Sequence, residues 1–406
     1  MTQPYRSIVC LLLLAVAFPA ASQVIDTVSA GPGYIHQTYY KLSTRQKTAV
    51  NATVWDLQIA INLFSASIRV NDGHGVQLYA PSNQDTTVWS TLDTTGMTPL
   101  YNSDQEWERG AFNAQAGTHP DYGWGTYVAG GNILGTKLFV IKLHDGSFRK
   151  IWIVSLAVGK TYTIRHANLD GSDEATFTIT KTDYTSSFVY IDVANSSVYD
   201  YEPSVPDWDL MFRRYLAELA PGVYYPVVGV QQNYNVEVAE ARGVDVTSDD
   251  FSAFTFDSSI TVMGHDWKEF NMTTFQWEIE PDLAYFVKDQ AGVVYKIIFT
   301  EFGGAADGNF IFEVKSLAVG IEETGTASLG LFPNPARDEV MVRLPPGLYR
   351  HVVVRVADIR GREVMRFEET TQRDLLSLDV ASLLPGLYTV TLTGGHAVVS
   401  GRIIIQ

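Results

Sequence analysis

The chain has 406 residues, enough for two or three domains, and its 46% hydrophobic and 18% charged content is that of a globular protein with a sizeable core. A formal charge of −16 excludes nucleic acid and anionic membrane surfaces as partners, because both repel it. Aromatic residues at 12%, together with 32 glycines, favour pleated strands and tight turns over helices.

The amino terminus reads as an export signal over residues 1–22. Arg6 supplies the positive charge, residues 8–18 the apolar run, and Ala20 and Ser22 the small residues before a cleavage site at Gln23. The run is too short to span a membrane. The single cysteine, Cys10, lies inside it and not at its end, which argues against a lipid anchor. The mature chain then has no disulfide, thiol nucleophile or thiolate metal site, as suits an exported protein of a Gram-negative bacterium.

Next comes an internal repeat. "ATVWDLQI" at 52–59 returns as "VPDWDLMF" at 205–212. "TYYKLS" and "FVYIDV" precede the two Trp-Asp-Leu segments at similar distances. Residues 138–156 and 284–302 align without a gap, with Lys142 on Lys288, Gly146 on Gly292 and Lys150 on Lys296. Each reads as a hairpin, with Asp145-Gly146 a strong turn signal. Trp107 falls opposite Trp267, and Trp124 opposite Trp277. The expectation is two copies of one antiparallel β domain, at 34–182 and 186–316. Trp55 and Trp208 anchor their cores, and the neighbouring Asp makes a turn or edge hydrogen bond.

Residues 317–328 are small, polar and acidic, and read as a linker. From 329 to 406, short alternating strands punctuated by Pro and Gly predict a small immunoglobulin-like β-sandwich. The fold class expected for the whole chain is mainly β. Three motifs here lie in order: "LFPNPA" with Pro333, Asn334 and Pro335, "DIRGREV" with Gly361, and "LPGLYTV" with Gly386 and Tyr388. In them the segment resembles the C-terminal sorting domain of the type IX secretion system of Bacteroidetes. The resemblance implies that this machinery is a partner, that the chain crosses the outer membrane, and that it ends on the cell surface or outside the cell.

The order of elements in the repeat, including "IRVNDG" and the "LHDGSFRK" hairpin, is similar to that of the HmuY family of exported haem-binding proteins. That resemblance implies a mostly antiparallel fold and capture of haem, or a related tetrapyrrole, through axial side chains. Haem iron takes His or Met donors in an apolar slot. His74, between glycines after "IRVND", and His119, in the aromatic middle of the first copy, are the candidate pair, with Met97 as an alternative. Met263 with His265 is the corresponding choice in the second copy. A loop histidine with no role is the ordinary reading of any one of them.

Other constellations are weaker. Asn168, Asp170, Asp173 and Glu174 could hold calcium, but Asp-Gly here reads first as a turn. Asp85–Thr87 and Asp93–Thr95 resemble O-glycosylation acceptors. No hydrolase, zincin, phosphate-loop or dinucleotide motif is present, so no enzyme is expected. Trp89, Tyr101, Tyr122, Trp124, Tyr224 and Tyr225 could stack on sugars, which leaves a non-enzymatic adhesion module for glycan or protein as the alternative to haem binding.

Overall fold

Period-two burial decides most strands. In Thr161–Asn168, Tyr162, Ile164 and His166 are buried while Thr163 and Arg165 are half-exposed, as in a sheet with one covered face. The computed structural model describes residues 23–317, 329–343, 350–358, 362–371, 375–394 and 397–406. The expected signal segment 1–22, residues 318–328 of the linker and Gly361 lie outside these residues. Leu317, expected to open the linker, ends a strand. Among the described residues, no helix is long and apolar enough to cross a membrane.

Three strands precede the first Trp-Asp-Leu: β1 (Val24–Ser29), β2 (His36–Tyr40) and β3 (Lys47–Asn51). Twelve follow: β4 (Leu57–Ala60), β5 (Ile68–Val70), β6 (Gln77–Ala80), β7 (Thr98–Leu100), β8 (Gly125–Val128), β9 (Asn132–Gly135), β10 (Phe139–Lys142), β11 (Phe148–Ala157), β12 (Thr161–Asn168), β13 (Ala175–Thr180), β14 (Phe188–Asp192) and β15 (Ser197–Tyr199). After the second Trp-Asp come β16 (Leu210–Ala220), β17 (Val223–Gln232), β18 (Glu237–Arg242), β19 (Lys268–Asn271), β20 (Gln276–Ile279), β21 (Leu283–Lys288), β22 (Val294–Phe302) and β23 (Asn309–Leu317).

These strands build two sandwiches. In the first, the sheet β15-β14-β4-β5 faces β13-β12-β11-β10-β6-β7, to which β9 adds β8 by pairing with β11. Ile59, Ile68 and Val189 meet Phe139, Ile153 and Ile164 in its core. In the second, β17-β16-β2-β3 faces β1-β23-β22-β21-β18 around Tyr40, Phe212, Tyr285, Phe299 and Phe312.

Sandwich boundaries are not the repeat boundaries expected at 34–182 and 186–316. β2 pairs with β16 of the second copy, while β14 pairs with β4 of the first. Each Trp-Asp-Leu strand therefore takes on its edge the aromatic strand that precedes the other one. Residues 24–51 complete the second sandwich, and the first, 52–199, is continuous.

The repeat itself is deep. A register shift falls between Ile153 and Ser155 in β11, and between Phe299 and Glu301 at the aligned place in β22. Lys150 and Lys296 are both buried, and each donates to a backbone carbonyl of the long loop crossing its sheet, at Trp89 (2.9 Å) and Ser248 (2.6 Å). Trp267, however, matches Trp124 and not Trp107. Each of the two precedes a hairpin, β8–β9 or β19–β20, and lies against the aligned ring of Tyr162 (6.0 Å) or Phe310 (5.8 Å).

The second faces of the two small sheets pack on each other, with Tyr39, Trp55, Trp107, Tyr190 and Trp208 buried together. Here the Trp-Asp-Leu repeat finds its purpose. Trp55 meets Tyr190 edge-on at 4.9 Å, and Trp208 meets Tyr39 at 5.1 Å. The two tyrosine hydroxyls hydrogen-bond across the centre at 2.5 Å. Asp56 accepts from the Val193 N–H at 2.9 Å, and Asp209 from the Leu42 N–H at 2.8 Å, so each aspartate holds the end of the borrowed strand. Asn71 and Asn233 then close the Trp turns, donating to the Trp55 and Trp208 carbonyls. The tryptophans thus anchor a junction between sandwiches, where the core of each domain was expected.

The C-terminal unit is described by itself. β24 (Gly330–Phe332), β25 (Glu339–Arg343) and β28 (Leu375–Asp379) form one sheet. β26 (Arg350–Ala357), β27 (Glu363–Thr371), β29 (Gly386–Gly394) and β30 (Ala397–Ile405) form the other. Val340, Val354, Leu378, Val390 and Ile403 fill the space between them.

Candidate functional site

The candidate haem donors go to separate places. His74 ends a short turn at the junction, where Gly73 presses on the Arg214 carbonyl. Burial, with Arg213 and Arg214 nearby, pushes its pKa down to about 4, and its Nε2 has no hydrogen-bond partner. His119 is exposed, with its ring against Tyr122 and Tyr127. Met97 lies in the loop before β7. None of the three lines the groove of the second sandwich described below. His144 and His166 are committed elsewhere, to Asp56 at 2.8 Å and Ser196 at 2.9 Å.

The acidic loop at 168–174 is a turn. Asp170 accepts from the Ser172 N–H and hydroxyl, Asp173 pairs with Arg149, and Glu174 takes Trp89 and Arg165. Among the described residues, no group of three His, Cys, Asp or Glu side chains could hold a metal ion. Most of the aromatics considered for sugars are occupied too. Trp124 is core, Trp89 is buried beneath Arg165 at 4.5 Å, and Tyr101 and Tyr224 stack on each other at 3.7 Å. Tyr225 is exposed.

Tyr225 belongs to a feature that sequence reasoning missed. At one end of the second sandwich the core opens into a groove of 730 Å³ between β17 and the β19–β20 hairpin. Tyr34, Trp277 and Phe302 form its aromatic floor, with Tyr34 stacked on Phe302 at 6.2 Å and Trp277 edge-on to it at 5.1 Å. Phe270 and Met272 of the hairpin form its rim, and Met272 is 73% exposed. His265 also lines it, and burial lowers the imidazole pKa, so the ring is neutral at pH 7.

Two cations sit among these rings. Lys268 is 9% exposed, with its ammonium 4.2 Å from the Trp267 ring and 4.6 Å from Phe302. It donates to the Val228 carbonyl at 2.7 Å and the His265 carbonyl at 3.3 Å. Arg214 lies opposite Val228 in the β16–β17 ladder, on the strand face that carries Leu210 and Phe212 into the core. Among the described residues neither cation has a carboxylate within ion-pair distance, and Glu269 at the rim is exposed. Burial pushes the Lys268 pKa down to about 7. The sequence carried one usable signal for this site: the hairpin "KEFNMTTFQW" places apolar residues on an otherwise polar ribbon.

The fold and its groove define an exported β-sandwich protein with a separate C-terminal sandwich. Residues 330–406 match the family described as the secretion system C-terminal sorting domain. That domain is the address of the type IX machinery, so the chain is carried across the outer membrane to the cell surface or the medium. The address residues are structural. Asn334 donates to the Arg402 carbonyl and accepts from the Ile404 N–H, both at 3.0 Å, so the Pro-Asn-Pro turn clasps β30. The Tyr388 hydroxyl donates back to the Leu384 carbonyl at 2.7 Å, across Gly386. No curated protein matches the chain. A solved structure, "Biofilm associated protein - BSP domain", aligns over 99% of this chain and 84% of its own at 8% identity, with a TM-score of 0.20.

Proposed function

We propose that the chain is a non-enzymatic binding protein of the cell surface or medium, and that its ligand is a small apolar molecule held in the groove of the second sandwich. The groove carries this reading: its 730 Å³ fall within the range of small-molecule sites, and apolar rings dominate its lining. Haem or a related tetrapyrrole meets this description, and the likeness of the repeat to the HmuY family supports that class of ligand. Its site would be the second copy, where His265 is the lining imidazole, and not His74, His119 and Met97 in the first.

Nile red, a neutral apolar dye, tests the reading. The full chain is expected to enhance its emission saturably, and Phe270→Ser with Met272→Ser to abolish the enhancement. No enhancement in the wild-type chain would sink the proposal and favour adhesion to glycan or protein. Haemin absorbance tests the tetrapyrrole version. A Soret shift lost in His265→Ala alone places haem in the groove, and one lost in His74→Ala or His119→Ala returns it to the first copy.

A further inference from the structure

Burying an ammonium in apolar surroundings is unfavourable unless something nearby offsets the charge. In this groove nothing of the protein does so fully. Lys268 has two backbone carbonyls and aromatic faces, and Arg214, on the same rung of the ladder, has no carboxylate partner among the described residues. The rest of the chain shows how its other buried cations are treated. Lys296 is paired with Asp249 at 3.3 Å and Arg149 with Asp173 at 2.7 Å, whereas Arg69, Lys150, Lys181 and Arg213 have no ion pair among the described residues and donate to backbone carbonyls. Lys268 and Arg214 differ from these in their place: both line an open groove whose other walls are mainly aromatic and aliphatic.

We infer that the ligand is an amphiphilic acid: an apolar chain or ring system that lies along Tyr34, Trp277 and Phe302 and places its carboxylate against Lys268 and Arg214. This rests on the groove being a ligand site. The carboxylate completes what the protein leaves open. It accepts from the remaining donor of the ammonium and from the guanidinium fork, and hydrogen bonds between charged groups away from water are the strong ones. The rings supply apolar contact without selectivity, so the cations choose the acid over its neutral analogue. Lys268 also holds the ammonium at the groove wall, because its two carbonyl contacts tie it to β17 and to the His265 turn.

The test uses 11-(dansylamino)undecanoic acid and its methyl ester, titrated by fluorescence against the full chain at pH 6.5, where Lys268 is mostly charged. The acid is expected to bind about tenfold tighter than the ester, the worth of one charge-assisted hydrogen bond. Lys268→Met and Arg214→Gln, each checked for an unchanged melting transition, are expected to bring the two affinities together by weakening the acid alone. Equal binding of acid and ester by the wild-type chain, or a preference that survives in both variants, overturns the inference and leaves the groove a site for neutral apolar ligands. If neither probe binds, the groove reading itself falls.

Discussion

The β8–β9 and β19–β20 hairpins occupy the same place in the two sandwiches and do opposite things. In the first, β9 pairs with β11, so the hairpin is part of the large sheet and closes the core. Ile133 stands opposite Tyr127 in that hairpin as Trp277 stands opposite Phe270, and it is buried. In the second, β19 and β20 pair only with each other, and the space they leave is the groove. One position accounts for much of this. After the aligned tryptophan comes Gly125 in the first copy and Lys268 in the second. Gly125 faces Gly135 across the first hairpin, and a Cβ at Gly135 would lie 1.7 Å from the Ile153 carbonyl oxygen of β11, so only glycine allows the hairpin to close on the sheet there. Lys268 faces Ile279 across the second hairpin, and Ile279 carries a side chain where the first hairpin has Gly135. The shared frame is at the junction, and the divergence lies at the far ends, where a binding site can change without cost to the frame.

The largest expected effect tests that frame. Deleting residues 23–51 removes β1–β3, which flank both sheets of the second sandwich, and leaves the first complete. The second sandwich is expected to lose its cooperative unfolding transition and to become protease-sensitive, while the first keeps its own. Calorimetry with limited proteolysis decides. Two intact transitions would mean that the borrowed strands are ornament.

The junction tryptophans come next. Trp55→Ala and Trp208→Ala each remove a fully buried ring and are expected to cost about 3–5 kcal/mol in chemical denaturation. Because both rings belong to one packed cluster, the double variant is expected to lose less than the sum. Strict additivity would show that the two halves of the junction do not sense each other.

That junction is symmetric in its rings but not in its charge. On one side Gln37 donates to the Tyr39 hydroxyl; on the other, the Tyr190 hydroxyl donates to Glu202 at 2.7 Å. Burial raises the Glu202 pKa to about 7, against about 4.3 in an unfolded chain. Between these values the folded state holds a proton that the unfolded state has released, so stability falls as pH rises through this window. Glu202→Gln removes that penalty. It is expected to gain on the order of 2 kcal/mol at pH 8 and nothing at pH 4. His74 works in the opposite direction. Its folded pKa of about 4 lies below the unfolded value near 6.5, so it makes stability rise with pH across that range. Thermal melts of Glu202→Gln should therefore show a rise between pH 4 and 6.5 that the wild type partly masks. A flat difference between the two proteins across pH would refute the assignment.

Legibility in the sequence divides along the same line. The repeat, the hairpins with Lys150 and Lys296, and the sorting motifs were readable, because short-range spacing and turn chemistry specify them. Which copy supplies the strand beside each Trp-Asp-Leu was not. "TYYKLS" and "FVYIDV" are alike, and either could pair with either tryptophan strand, so only the packed junction decides. Aligning Trp107 with Trp267 failed for a related reason: a long insertion separates Trp107 from Trp124, and local composition does not say which indole fills the core. The groove was invisible because Tyr34, Arg214, Lys268 and Phe302 come from four distant segments. Histidines drew attention as ligands, whereas the distinctive group was a buried lysine lining an apolar groove.

The smallest effect concerns the hairpin turns and sharpens the comparison most. Gly130 and Gly131 take the first turn at φ +91° and +80°, where glycine is unstrained. At the matching end of the second turn, Phe275 adopts φ +55° and is 69% exposed, with its N–H bonded to the Asn271 carbonyl and the Asn271 side chain capping Thr273 and Thr274. An exposed aromatic in a left-handed conformation costs stability and buries little in return, which is a reason to look for function rather than packing. Phe275→Gly is expected to stabilise the chain slightly, by about 0.5–1 kcal/mol, through relief of the backbone. If the hairpin serves the groove, the same change should weaken Nile red binding severalfold, because Phe275 supports Phe270 at 6.5 Å on the rim. Stability and binding would then move in opposite directions in a single variant, which a purely structural turn cannot produce. A stabilised variant with unchanged binding would reduce Phe275 to a tolerated imperfection of the turn and confine the site to the floor of the groove.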